Sequence, residues 1–450
     1  MKRNTQNVIL IVLLAIFCLC ILTACNRGSS ADYFTYSEES LGLVGKLVRL
    51  MHGWIGNYGW TVVVFTVFLK IAMTPLDIWQ RVSSRKSTLR MQKMQPIMAE
   101  IDKRYGANTP RANEEKQKLY KKQGFSAFAM CLPMIITMVV FFVMFGGLND
   151  YSTHSTVTNF QRLSGTYFDE YYKLVKADGY DTLELTYKKD GQTVTATFHD
   201  SIASLLDDAT DFDTNENFLR DNYSAKNVDA YMTAIEWLSD SETVNHLDSE
   251  TCLSYAQNAL TAVGEYYENN HESWLWIQNV WQPDTWAPIM PEFDSGTNAF
   301  TTKVGISKDE VWRDHYNAIR GAVVQTGGYS KNGSWNGLMI LPILSIALSF
   351  LSIFLSQRLD RRVRKGEQQP ATEQSAQQAA SNKMMMIMMP LMMAFFGFMY
   401  TGAFAIYMVC NYLWSLIATL CLAYPVEKIV QRSFAKKEAQ EKSNKANYMR

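Results

Sequence analysis

Four blocks of this chain are apolar over the length a helix needs to cross a bilayer: Trp54 to Leu76, Phe128 to Leu148, Leu338 to Leu355, and Met384 to Leu422. A crossing takes about 20 mostly apolar residues. The last block is nearly twice as long, and "YTGAF" at Tyr400 to Phe404 places a small-residue break inside it, so it reads as two spans folded back on each other. Five spans result. Apolar runs of this length read as helices, so the spanning core is expected to be all-α. A net charge of zero and a hydrophobic content of 48% hide this pattern, because apolar blocks alternate with a long acidic one.

Charge orients the spans, since cytoplasmic flanks are enriched in Lys and Arg. Residues 77–127 hold twelve basic and five acidic residues, 358–383 six and three, and 424–450 seven and three, whereas 149–336 holds 29 acidic against 12 basic. Five spans satisfy all of these with the acidic block outside and the C-terminus in the cytoplasm. At the other end, Lys2 and Arg3 precede an apolar run from Val8 to Ile21 and then "LTAC", Leu22 to Cys25. This pattern reads as a signal peptide over 1–25. The tetrapeptide resembles the bacterial lipobox, which would make Cys25 the lipidated first residue of a chain anchored at the outer face of a bacterial plasma membrane. An uncleaved first span is the alternative. Cys252 stands alone in the polar middle, so neither a disulfide framework nor a thiolate metal site is expected.

The expected organisation is an all-α polytopic membrane protein with a five-span core, a cytoplasmic helical hairpin and an extracytoplasmic α+β insert. Residues 26–59 form an outer-surface segment in which Leu41, Val44, Leu47, Val48 and Met51 make an amphipathic helical stripe, facing lipid or protein. Residues 60–148 hold the first two spans around a hairpin at 77–127, broken near "YGANTP", Tyr105 to Pro110. Its basic first arm suits lipid headgroups, RNA or an acidic partner, or is plain positive-inside charge. The acidic insert at 149–272 contains "LELTYKKDGQTVTATF", a β-hairpin turning at Asp190 and Gly191, and then helices. Within it "DFDTN", Asp211 to Asn215, lacks the glycine and the final acid of a calcium loop and reads as a solvated turn. An outer segment and third span (273–357), a cytoplasmic loop (358–383), the fourth and fifth spans (384–423) and a basic tail (424–450) complete the chain.

Lys70 lies ten residues past Trp60, about 15 Å along a helix and close to the middle of the bilayer. A centred cation costs about 3 kcal/mol or more, so it is expected to face a wet cavity, with snorkelling to the inner interface as the alternative. Thr66 stands one turn away, Thr137 lies in the second span, and Tyr407 and Asn411 are one turn apart in the last. These four are candidates for lining the same cavity, or routine interhelical bonds. The Met-rich run Met384 to Met399 suits adaptable apolar contacts or simple membrane filling.

The residues "NYGWTVVVFTVFLKIAMTPL", "MQKMQPIMAEIDKRYG", "KLYKKQGFSAFAMCLPMIITM", "WLWIQNVWQPD", "ILPIL" and "MMPLMMAFFGFMYTGAFAIYMVCN", in this order, resemble the YidC/Oxa/Alb family of membrane-protein insertases. The resemblance implies a hydrophilic groove open to cytoplasm and lipid, with Lys70 where the family usually carries arginine. It also implies nascent membrane proteins, the ribosome, possible contact with the Sec translocon, and lipids as partners, without DNA, cofactor or metal. The lipobox looks like the Gram-positive form. Thr137 replaces a frequent glutamine, Ser126 and Ala127 an Asn-Pro pair, and Thr401 a common proline. No nucleotide-loop, zinc-protease or serine-hydrolase motif occurs, so an enzyme is not expected. A small-solute or anion transporter, or an envelope scaffold built on the acidic insert, is the rival reading.

Overall fold

The computed structural model describes residues 41–106, 109–122, 127–189, 191–206, 212, 215, 217–223, 225–294, 300–301, 310–326, 335–363, 398 and 400–448. The expected signal peptide with Cys25, the acidic turn expected at Asp211, most of the 358–383 stretch and the Met-rich run expected as a fourth span lie outside them. The chain forms two compact units, Met1–Thr61 with Gly146–Ile340 and Phe398–Phe404, and Val62–Phe145 with Leu341–Gly397 and Ala405–Arg450.

The first unit opens with α1 (Leu43–Ile55), ended by Gly56 at φ 76°, whose N–H donates to His52. The helix carries two apolar stripes. Gly45 and Val48, with Leu41 just before the helix, are buried, while Leu43, Leu47, Leu50 and Trp54, at steps of four, three and four, are exposed, so Leu47 departs from the single stripe expected with Leu41 and Val48. His52 then ties the start of the next helix, α2 (Tyr58–Tyr105), to a loop more than 200 residues away. Its Nδ1 is 2.7 Å from the Tyr151 hydroxyl and its Nε2 3.2 Å from Glu272, which also accepts from the Tyr58 N–H. Tyr58 stacks on Trp281 with centroids 4.1 Å apart. One residue on, Gly59 lies so close to Trp274 that a Cβ there would sit 2.2 Å from the indole.

The helix α4 (Ala127–Ala177) follows α3 (Pro110–Lys122) and runs 51 residues. A span and a separate insert are expected here from sequence, yet no proline follows Pro133 to stop the helix, so it continues through Gly146 and Gly147 into the insert. Beyond it come β1 (Glu184–Lys189) and β2 (Gln192–Thr197), antiparallel with Lys189 opposite Gln192 and Gly191 at φ 78° in the turn. Then follow α5 (Phe198–Leu205), α6 (Ala225–Ser239), α7 (Ser249–Asn270) and α8 (Glu310–Thr326). Thr197 and Asp248 cap α5 and α7 by accepting from the Asp200 and Thr251 amides. One apolar core gathers Phe168, Tyr171, Leu185, Phe198, Ile202, Val228 and Tyr231; a second gathers Phe160, Leu163, Val263, Ile289, Tyr316 and Ile319. The second core sits where α4, α7 and α8 meet.

Two features of α4 fix this unit. Gly165 passes against the backbone of Leu219 and Arg220, where a Cβ would approach within 2.8 Å, and one turn later Asp169 accepts from both of those amides at 3.1 Å. Gly165→Ala is therefore expected to cost about 1–3 kcal/mol, read as a lower unfolding temperature in detergent. His315 on α8 lies 2.7 Å from the buried Ser164 hydroxyl and stacks on Phe168 at 4.9 Å. Burial pushes its imidazole down to about 3, so the folded state holds it neutral. The unfolded chain takes up that proton first, so the contribution is whole above the ordinary pKa of 6.5 and is lost as pH falls below it. Asp169, pushed up to about 6 by burial, acts in the opposite sense. Comparison with His315→Gln isolates the histidine. Amide exchange in Glu310–Thr326, corrected for intrinsic rates, is expected to show about 2 kcal/mol of lost protection at pH 5 relative to pH 7 that the variant lacks.

The second unit contains most of α2, α3, the start of α4, α9 (Ile340–Val363) and most of α10 (Gly402–Tyr448). Among the described residues, three helices are long and apolar enough to cross a membrane: α2, Ile340–Leu359 in α9 and Gly402–Lys436 in α10. The sequence predicts a first span and a separate hairpin arm; instead α2 is continuous over 48 residues with Pro75 and Pro96 inside it. Its hydrogen-bond ladder on either side outweighs the bond each proline removes. The hairpin turns at Gly106, φ 81°, and the 2.6 Å ion pair of Lys116 with Asp102 closes α3 on α2.

Candidate functional site

On α2 the residues Lys70, Asp77, Arg81, Arg85 and Thr88 recur at steps of seven, four, four and three, which places them on one face of a helix with 3.6 residues per turn. On α10, Asn411, Ser415, Thr419 and Glu427 recur at multiples of four. These two stripes, with Ser356 of α9, line a cavity of about 520 Å³. A volume of about 10–15 Å³ already holds one water, so a space this size with so many polar walls is hydrated.

The charges along it differ in how they are held. Arg85 Nε and Nη2 donate to Glu427 Oε2 and Oε1 at 2.8 and 3.3 Å, and Gln431 adds a bond to Oε1 at 3.1 Å. The two side chains of this fork are only 7% and 11% exposed. Arg81 Nη1 donates to the Thr419 hydroxyl at 3.3 Å. Lys70 and Asp77 are half-buried and line the cavity, and among the described residues neither charged group has a hydrogen bond or ion pair at contact distance. Asp77 is nonetheless in electrostatic reach of both Lys70 and Arg81.

Of the residues singled out in the sequence, the structure brings Lys70 and Asn411 together on this cavity. Thr66 does not line it: its hydroxyl turns back to the Val62 carbonyl at 2.6 Å, the usual way for a threonine to satisfy itself in an apolar helix. Tyr407 is buried one turn before Asn411 and is not part of the lining either. Thr137 is on α4, its side chain outside the described residues, as is Cys25. Asp77, Arg81, Arg85 and Glu427 are missed by sequence reasoning, which assigns them to solvated cytoplasmic flanks. Their signal is the continued spacing from Lys70 along one face.

Removing one member of a buried ion pair strands the other. Arg85→Ala is expected to cost about 3–5 kcal/mol, while Arg85→Met with Glu427→Leu recovers most of it. Unfolding temperatures of the three proteins in one detergent check this.

A family model described as 60Kd inner membrane protein matches residues 50–196 and 256–428. The helices α5 and α6 of the insert fall in its gap. The "Membrane protein insertase YidC" of Caldanaerobacter subterraneus subsp. tengcongensis is 33% identical over 129 residues, 29% of this chain and 61% of that protein. Proteins of the same name from Cellvibrio japonicus and Saccharophagus degradans are 33% and 35% identical over 98 and 95 residues, 22% and 21% of this chain. The matches span only 17% and 16% of those two relatives, and no solved structure matches. The family match covers well over half of the sequence in two stretches that include both stripes of the cavity, and the chain belongs to the 60Kd inner membrane protein family, the YidC/Oxa/Alb family.

Proposed function

We propose that this membrane protein is an insertase that helps integral membrane proteins enter and fold in the bilayer. The observation that carries the reading is the charged cavity between helices apolar enough to cross a membrane, with Lys70 facing it. A polar client segment needs somewhere to go while its apolar helix exchanges water for lipid, and burying such a segment in hydrocarbon without partners costs several kcal/mol. A hydrated space with a cation lowers that cost, and most for a segment bearing a carboxylate. The names of the relatives support the same activity.

In this reading the clients are nascent membrane proteins, delivered by the ribosome and in part through the Sec translocon. The fold is a five-span core with the acidic 149–272 insert outside the cell and the hairpin 77–127 and basic tail inside. Cys25 carries the lipid of a Gram-positive type lipoprotein, and Thr137 and Asn411 extend the polar lining. Neither a cofactor nor a metal enters the mechanism.

Lys70 is the test. As sole insertase, Lys70→Glu is expected to lower insertion of single-span clients with acidic outside tails by about tenfold, and Lys70→Arg to preserve it, since charge is kept and a planar fork is gained. Protease protection of newly made clients in depleted cells reads the outcome; normal insertion by the Glu variant would sink the reading.

A further inference from the structure

Two opposite charges face the cavity without touching each other. Lys70 and Asp77 both line it, and among the described residues neither charged group has a contact partner, in contrast to Arg85 and Glu427, which are closed on one another. Arg81 leans on Thr419. Among the described residues the cavity therefore presents one open cation and one open anion, not a lone cation. Seven residues along one α-helix bring them back to nearly the same face, their Cα atoms about 10.5 Å apart along the axis.

A ligand carrying a single negative charge satisfies Lys70 and leaves Asp77 half-buried and unanswered, which costs free energy that a second, positive group on the same ligand recovers. The acid also weakens capture of purely acidic segments, because it stands in electrostatic reach of both Lys70 and Arg81. Among the described residues a basic side chain has no other open acid on this cavity, since Glu427 is committed to Arg85 and Gln431.

We propose that the cavity is a bipolar site whose substrate class is a polar peptide segment carrying an acid and a base, the acid on Lys70 and the base on Asp77, and that Asp77 is the specificity-determining residue for the base. The proposal rests on the insertase reading and deepens it. An extended peptide advances about 3.3 Å per residue, so the two client charges are expected about three residues apart.

Single-span clients that differ only in tail charge test this: acidic only, basic only, neutral, and an acid and a base three residues apart. The full chain serves as the sole insertase, and both protease protection and photo-crosslinking from the tail are read. Wild type is expected to capture the mixed tail about fivefold better than the acidic tail, the size of one modest charge contact. Asp77→Asn is expected to erase that preference and Asp77→Glu to keep it. Equal capture of mixed and acidic tails by wild type overturns the proposal, and that arm needs no variant to fold. Asp77→Asn lowering all tails alike overturns it too. If Lys70→Glu abolishes capture of acidic tails while Asp77→Asn ignores tail charge, the bipolar site falls and the insertase reading stands. If neither variant changes any tail, both fall.

Discussion

The cost of placing charge in hydrocarbon governs how the second unit is built. Lys70, Asp77, Arg81 and Arg85 sit on a helix that must also present apolar surface, and such a helix can carry them only if they share one face and meet polar partners there. The helix α10 supplies the partners at matching spacing, from Asn411 to Glu427. The contacts described between these stripes answer desolvation: a bidentate fork for the most buried arginine and a hydroxyl for the next, while the two remaining charges face the open space of the cavity. A gradient results along one helix, from closed ion pair to open charge.

Much of this was legible in the residues. Apolar blocks of spanning length announced α2, α9 and α10, and the isolated lysine lies on the lining of a cavity with polar walls. Its neighbours were harder to place. Asp77 through Arg85 look like ordinary cytoplasmic charge because hydropathy falls there, and only the continuation of α2 through Pro75 shows them to be one stripe with Lys70. Glu427 could not be assigned by any local pattern, since its partner is 342 residues distant. Thr66 illustrates the opposite error: correct spacing from Lys70 says which face a residue is on, yet the hydroxyl's cheapest partner is the carbonyl behind it.

The first unit obeys different rules. It has an interior of aromatic rings and aliphatic side chains, caps at its helix ends and a hairpin with glycine in the turn, all of the kind found where water is the solvent. The β1–β2 hairpin was legible from alternation on either side of a tight turn with glycine, a local pattern that needs no tertiary help to be recognised. The length of α4 was not. A composition change from apolar to polar marks a change of surroundings, and a helix crosses such a change without a break unless a proline or a cap intervenes.

The close approach of Gly59 to Trp274 couples two positions more than 200 residues apart. With the indole in place, position 59 admits hydrogen alone, and with any larger group at 59 the indole has no room. Neither site can drift by itself. Among descendants of this gene the two are expected to change in concert or not at all, and a chimera that took one half of the chain from a relative with a different pair would inherit a collision at the first turn of a span.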